Sequence, residues 1–148
     1  MVNTNRLLSE TILFVRDDLR ANITDPISST RPSGEKFVMT SYPRRKTTYP
    51  IITVRGWITG SRTLGQQSSN LEINIKVEVR IWGRNEKEKN NLCDDVINRM
   101  KNNQYGTNSS ISADLHDFGL DSAVDVDEEG EEGLKSKVCQ YRYKFWTS

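Results

Sequence analysis

The chain has few of the residues that most enzymes use. It carries one histidine, His116, and two cysteines, Cys93 and Cys139, in 148 residues. One histidine and two distant cysteines supply too few ligands for a zinc site. Two cysteines give no disulfide framework either. Buried free thiols in a reducing compartment are the simpler expectation. The nine glycines are scattered and form neither a phosphate loop nor a dinucleotide fingerprint. No Ser or Cys nucleophile motif accompanies Asp114-Leu115-His116-Asp117, so His116 reads as a loop or surface residue. The expectation is a non-enzyme with no catalytic residues, no cofactor and no metal. No apolar run approaches the ~18–20 residues of a membrane span, so no membrane partner is expected. The first residues lead into a patterned helix rather than a signal peptide. A formal charge of +1 gives no global attraction to nucleic acid or anionic lipid.

The most informative stretch is Leu71-Glu-Ile-Asn-Ile-Lys-Val-Glu-Val-Arg-Ile-Trp82. Side chains on a strand alternate faces. Leu71, Ile73, Ile75, Val77, Val79 and Ile81 therefore share an apolar face, and Glu72, Asn74, Lys76, Glu78 and Arg80 share a polar one. One face must meet a core; the other stays wet or meets a polar partner.

Helical spacing recurs at residues 5–21, through Leu8, Ile12, Val15 and Leu19, with Leu7 and Phe14 widening the stripe. Glu10, Arg16, Asp17, Asp18 and Arg20 fill the remaining surface. A long arm over residues 22–50 follows, punctuated by Asp25-Pro26 and Pro32-Ser33-Gly34. Within it, residues 36–41 are β-prone, with Phe37 and Met39 on one face. Residues 51–58 read as a strand and 59–70 as a polar loop. Asn85 with Glu88 marks a capping box, opening a helix whose apolar face is Leu92, Val96, Ile97 and Met100, with Cys93 at its edge. Weak strand signals fall at 111–124, an acidic tip at 125–133, and a strongly alternating strand at 137–146. Asp125, Asp127 and Glu129 echo a calcium loop, but Ser136 stands where the closing Glu belongs, so a solvated turn is expected. The order of elements predicts one α+β domain over residues 1–148, a mainly antiparallel sheet with two helices on one face.

Charge is segregated along the chain. Between Arg31 and Arg62 stand Arg31, Lys36, Arg44, Arg45, Lys46, Arg55 and Arg62, against Glu35 alone. Between Asp114 and Glu132 stand nine acids and no Lys or Arg. Two readings stay open: loops that are solvated or neutralise each other within the chain, or complementary surfaces joining identical subunits head to tail. In the second reading Arg44, Arg45, Lys46, Arg55 and Arg62 meet Asp127, Glu128, Glu129 and Glu131 of a neighbour. The polar face of Glu72, Asn74, Lys76, Glu78 and Arg80 is then a ring contact or lumen lining.

The segments Glu10–Pro26 and Ser41–Val54, with the long alternating strand, the following helix and the closing strand, resemble the tail terminator, or tail-completion, proteins of long-tailed bacterial and archaeal viruses. The resemblance covers roughly residues 5–147. It implies a structural virion protein of the tail or neck, assembled in the host cytoplasm. It implies a ring, hexameric in that family, that caps the tail tube and joins it to the head connector or stopper. The implied partners are copies of the chain, the tube protein and the connector, with DNA contacted at most in the lumen. Another neck, connector or tube protein of the same particle is the alternative, and a small nucleic-acid-binding module is a further one, suggested by Arg44-Arg45-Lys46 between Tyr42 and Tyr49.

Overall fold

The computed structural model describes residues 6–40, 48–63, 71–104, 115–127 and 135–146. In chain order the elements are α1 (Leu7–Asn22), β1 (Val38–Met39), β2 (Ile51–Thr63), β3 (Leu71–Gly83), α2 (Glu86–Gln104), β4 (Leu115–Asp127) and β5 (Lys135–Trp146). The five strands form one sheet in the order β1-β2-β3-β5-β4. Only β1 against β2 is parallel; the other neighbours are antiparallel. Both helices pack on the same face, α1 over β1 and β2, α2 over β3 and β5. This is the expected α+β architecture.

Alternation explains the core. Ile75, Val77, Val79 and Ile81 on β3 are fully buried, and Ile73 packs against them. Their β5 neighbours Cys139, Tyr141, Tyr143 and Phe145 are buried beside them. Val15 and Leu19 of α1, and Leu92, Val96 and Met100 of α2, close the layer from above. Each fully buried aliphatic chain stabilises by roughly 1.5–3 kcal/mol.

Helix α2 starts as its sequence predicts. The Glu88 amide donates to Asn85 Oδ1 at 2.9 Å. The Glu88 carboxylate reaches back one residue further than a simple capping box, accepting from the Arg84 amide at 3.1 Å and from its guanidinium. The Arg84 charge draws it there and holds Glu88 below the usual carboxylate range.

Several local expectations need correction. Asp18 is not on the outer surface of α1. It is buried beside Val15 and Leu19, because Arg99 of α2 comes to meet it. Strand β2 runs to Thr63, five residues past the expected end, since its register with β3 continues through a bulge between Ile58 and Gly60. Residues 64–70, the rest of that loop, lie outside the described residues. Beside β1 the buried side chains are Phe37 and Val38 rather than Phe37 and Met39. Cys93 sits inside the core, not at its edge. The acidic tip does not begin at Asp125. Asp125 and Asp127 belong to β4, which is extended, so the calcium-loop echo does not form a turn there.

The arm after α1 is held by one side chain. Arg31, with a side chain only 5% exposed, pairs with Asp25 at 2.6 Å. It also donates to the carbonyls of Thr48 and Pro50 and lies over the Phe37 ring. One guanidinium thus ties residues 25, 37, 48 and 50 together as the chain enters β2.

Candidate functional site

The face of the sheet away from the helices carries the polar residues of β3 and is the most organised surface of the molecule. The antiparallel register sets Arg55 of β2 opposite Glu78, Arg62 opposite Glu72, and Arg142 of β5 opposite Lys76. The first two become cross-strand ion pairs, whereas Lys76 and Arg142 share a third acid. Arg55 meets Glu78 at 3.4 Å, and Arg62 meets Glu72 at 3.0 Å, with Lys144 3.8 Å from the same carboxylate. Asp121 sits at a bulge in β4 and receives both Lys76, at 3.0 Å, and Arg142. The Lys76 and Arg142 hydrogen bonds hold Asp121 below the usual carboxylate range. At the end of this face nearest the arm, the Arg80 guanidinium lies 4.3 Å over the Trp82 ring. The Trp82 indole N–H donates to Thr53, and Tyr49 packs against its ring.

Two groups named from the sequence are thereby joined within one chain. Arg55 and Arg62, candidates for a subunit contact, pair with Glu78 and Glu72, candidates for a ring or lumen face. The acids lie low and the bases high. Glu72 and Glu78 side chains are 5% and 11% exposed, whereas those of Arg62, Arg55 and Arg142 are 70%, 43% and 46% exposed. Lys76 and Lys144 are half-buried. Asn74 is half-buried, its backbone carbonyl accepting from the Thr59 hydroxyl at 3.4 Å. Arg44, Arg45, Lys46, Glu128, Glu129 and Glu131 lie outside the described residues; Asp127 is placed only as the last residue of β4.

Sequence periodicity missed two further clusters. Lys89 of α2 is fully buried against Gly83 and pairs with Glu86 and Asp125, each at 2.7 Å. Burial pulls its pKa down, but the hydrogen bonds that it donates to Asp125 and Glu86 outweigh that and leave it raised. The only sequence hint was a lysine at helical spacing from Leu92 and Val96. The second cluster is Cys93 and Cys139, free and buried as expected, with Sγ atoms 3.6 Å apart between α2 and β5. The hydrogen bond between them favours the thiolate at Cys93 and, with burial, raises Cys139.

Past β1, β2 has no further strand neighbour on that side among the described residues. A groove of about 510 Å³ runs between α1 and β2, lined by Ser9, Ile12, Leu13, Val54 and Arg55. The opposite rim is β4, a 13-residue edge strand. Among the described residues no group of three or more His, Cys, Asp or Glu could hold a metal, and no helix is long and apolar enough to cross a membrane. His116 stands on β4 opposite Lys144 in backbone register.

The sequence matches no protein-family model, and no curated protein is significantly similar to it.

Proposed function

We propose that this chain is a structural subunit of a virion tail, one copy of a ring that ends the tail tube and joins it to the head connector. It acts through protein–protein contacts rather than catalysis. The observation that supports this reading is the strand order. The basic stretch of the sequence leads into and forms β2, next to one rim of the sheet, and the acidic stretch forms β4, the opposite rim. With β3 and β5 between them, the two strands stand about 14 Å apart, three strand spacings. Surfaces of opposite sign on opposite rims join identical subunits head to tail, and such a contact closes into a ring when the rotation permits.

The intrachain pairs of Arg55, Arg62, Asp121 and Asp125 reduce the charge left for a neighbour. Arg44, Arg45 and Lys46 on the arm, and Asp127 at the end of β4 with Glu128, Glu129 and Glu131 after it in sequence, therefore carry the contact in this reading. Light scattering after size exclusion, across protein and salt concentration, tests it. The expected result is a discrete ring that dissociates as salt rises. The double variant R44E/R45E should remain a folded monomer. Long open tubes point instead to a tube protein, and unchanged assembly of R44E/R45E removes the charge-pairing account.

A further inference from the structure

We propose that the helix-free face of the sheet is a contact surface for the phosphodiester backbone of duplex DNA. The proposal does not depend on ring formation.

Among the described residues six cations stand on this face, Arg55, Arg62, Lys76, Arg80, Arg142 and Lys144, against three carboxylates, Glu72, Glu78 and Asp121. The excess is local, since the whole chain is almost neutral. Its layering matters more than its sum. The carboxylates lie low, and the guanidinium groups of Arg62, Arg55 and Arg142 stand above them toward solvent, with Lys76 and Lys144 half-buried between. A partner approaching from outside meets those three guanidinium groups first.

Register spreads those cations evenly. Arg62 lies opposite position 72 of β3, Lys144 opposite 74, Arg142 beside Lys76, Arg55 opposite 78, and Arg80 follows on β3 itself. Every polar row of the central strand therefore carries a base, with rows about 6.8 Å apart. The result is a cationic track along β3 rather than a single pocket, which suits a repeating anion.

The ion pairs hold the track in shape without exhausting its donors. Arg62 commits Nε and one terminal nitrogen to Glu72, and Arg142 commits one nitrogen to Asp121. A guanidinium has N–H groups beyond these, in a planar fork that matches a phosphate. Arg142 crosses Gly119, where the absence of a side chain leaves room for its guanidinium. Half-buried Trp57, opposite Lys76, adds a flat apolar surface within the track. An acidic protein partner fits less well. Protein interfaces concentrate their energy in a desolvated apolar centre, and the exposed aliphatic residue of this face, Val124, lies at its margin on β4.

The test is fluorescence anisotropy of a labelled duplex with the full chain, at about 50 and about 200 mM salt, with light scattering on the same samples. Three net phosphate contacts predict a slope of about −2.7 in log affinity against log salt, a loss of roughly 40-fold over that range. R62Q/R142Q should flatten the slope by about 1.8, and R62K/R142K should restore it. Circular dichroism of both variants separates loss of contact from loss of fold. Three results overturn the proposal: no salt-dependent binding, a slope unchanged in R62Q/R142Q but lost in R44E/R45E, or equal binding of a polyglutamate peptide. Because scattering reports assembly separately, a monomer that binds DNA contradicts the ring and leaves this proposal standing.

Discussion

Arg99 of α2 donates two hydrogen bonds to Asp18 of α1, at 3.0 and 2.6 Å, across 81 residues of sequence. The Asp18 side chain is 4% exposed. This pair fixes the two helices relative to one another above the sheet, where they otherwise share few contacts. Arg99→Ala leaves a buried carboxylate without its main partner and should destabilise the fold by about 2–4 kcal/mol. Adding Asp18→Asn to that variant should recover part of the loss. Urea denaturation measures both. A double variant no more stable than Arg99→Ala contradicts the ion-pair account.

Lys89 separates the contributions of a buried stem and a buried charge. Its partners Glu86 and Asp125 are largely exposed and can be rehydrated. Lys89→Met keeps the stem and should cost less than about 1 kcal/mol. Lys89→Ala opens a cavity and should cost about 2 kcal/mol or more. Equal losses in thermal or urea unfolding would assign the effect to charge instead.

Two glycines should respond oppositely to the same methyl group. A Cβ on Gly83 would lie 2.8 Å from the Lys89 amide nitrogen, a backbone atom inside α2. The atoms nearest a Cβ on Gly119 belong to the guanidinium end of Arg142, which can swing into solvent. Gly83→Ala should cost about 2–3 kcal/mol, and Gly119→Ala less than about 1 kcal/mol. Reversed ranking of their urea midpoints would refute this packing account.

Acid should loosen the molecule in a defined window. Asp25, beside Arg31, and Asp121, beside Lys76 and Arg142, are held below their ordinary value of 3.8. Asp125, beside Lys89, is also lowered from 3.8. A lowered folded pKa means that the unfolded chain takes up protons first. The stabilisation is therefore complete above pH 3.8 and is lost as pH falls through the lower folded values. Urea midpoints should fall in that range, and Asp25→Asn should make the fall shallower. An identical acid limb in Asp25→Asn would exclude a role for the Arg31 pair.

The polarity of the candidate face was readable in advance, because alternation in β3 is a property of neighbouring residues. Its pairing was not. Which cation covers Glu72 or Glu78 depends on the offset of β2 against β3, and the β2 side was obscured by the bulge near Gly60. Asp121 reaches the same face only because β4 bulges there. Nothing in the local spacing announces that break.

The sequence by itself determined the two helices, the long two-faced strand, the closing strand and the order that makes an α+β sheet. Each follows from periodicity and capping, which act within a few residues. The tertiary structure decided that β5 lies between β3 and β4, that Asp18 and Lys89 are buried, and that Cys93 touches Cys139. A charge can be buried only where a distant partner compensates its desolvation. Arg99 stands 81 residues from Asp18, and Asp125 stands 36 from Lys89, so the fold had to bring them together before either burial made physical sense.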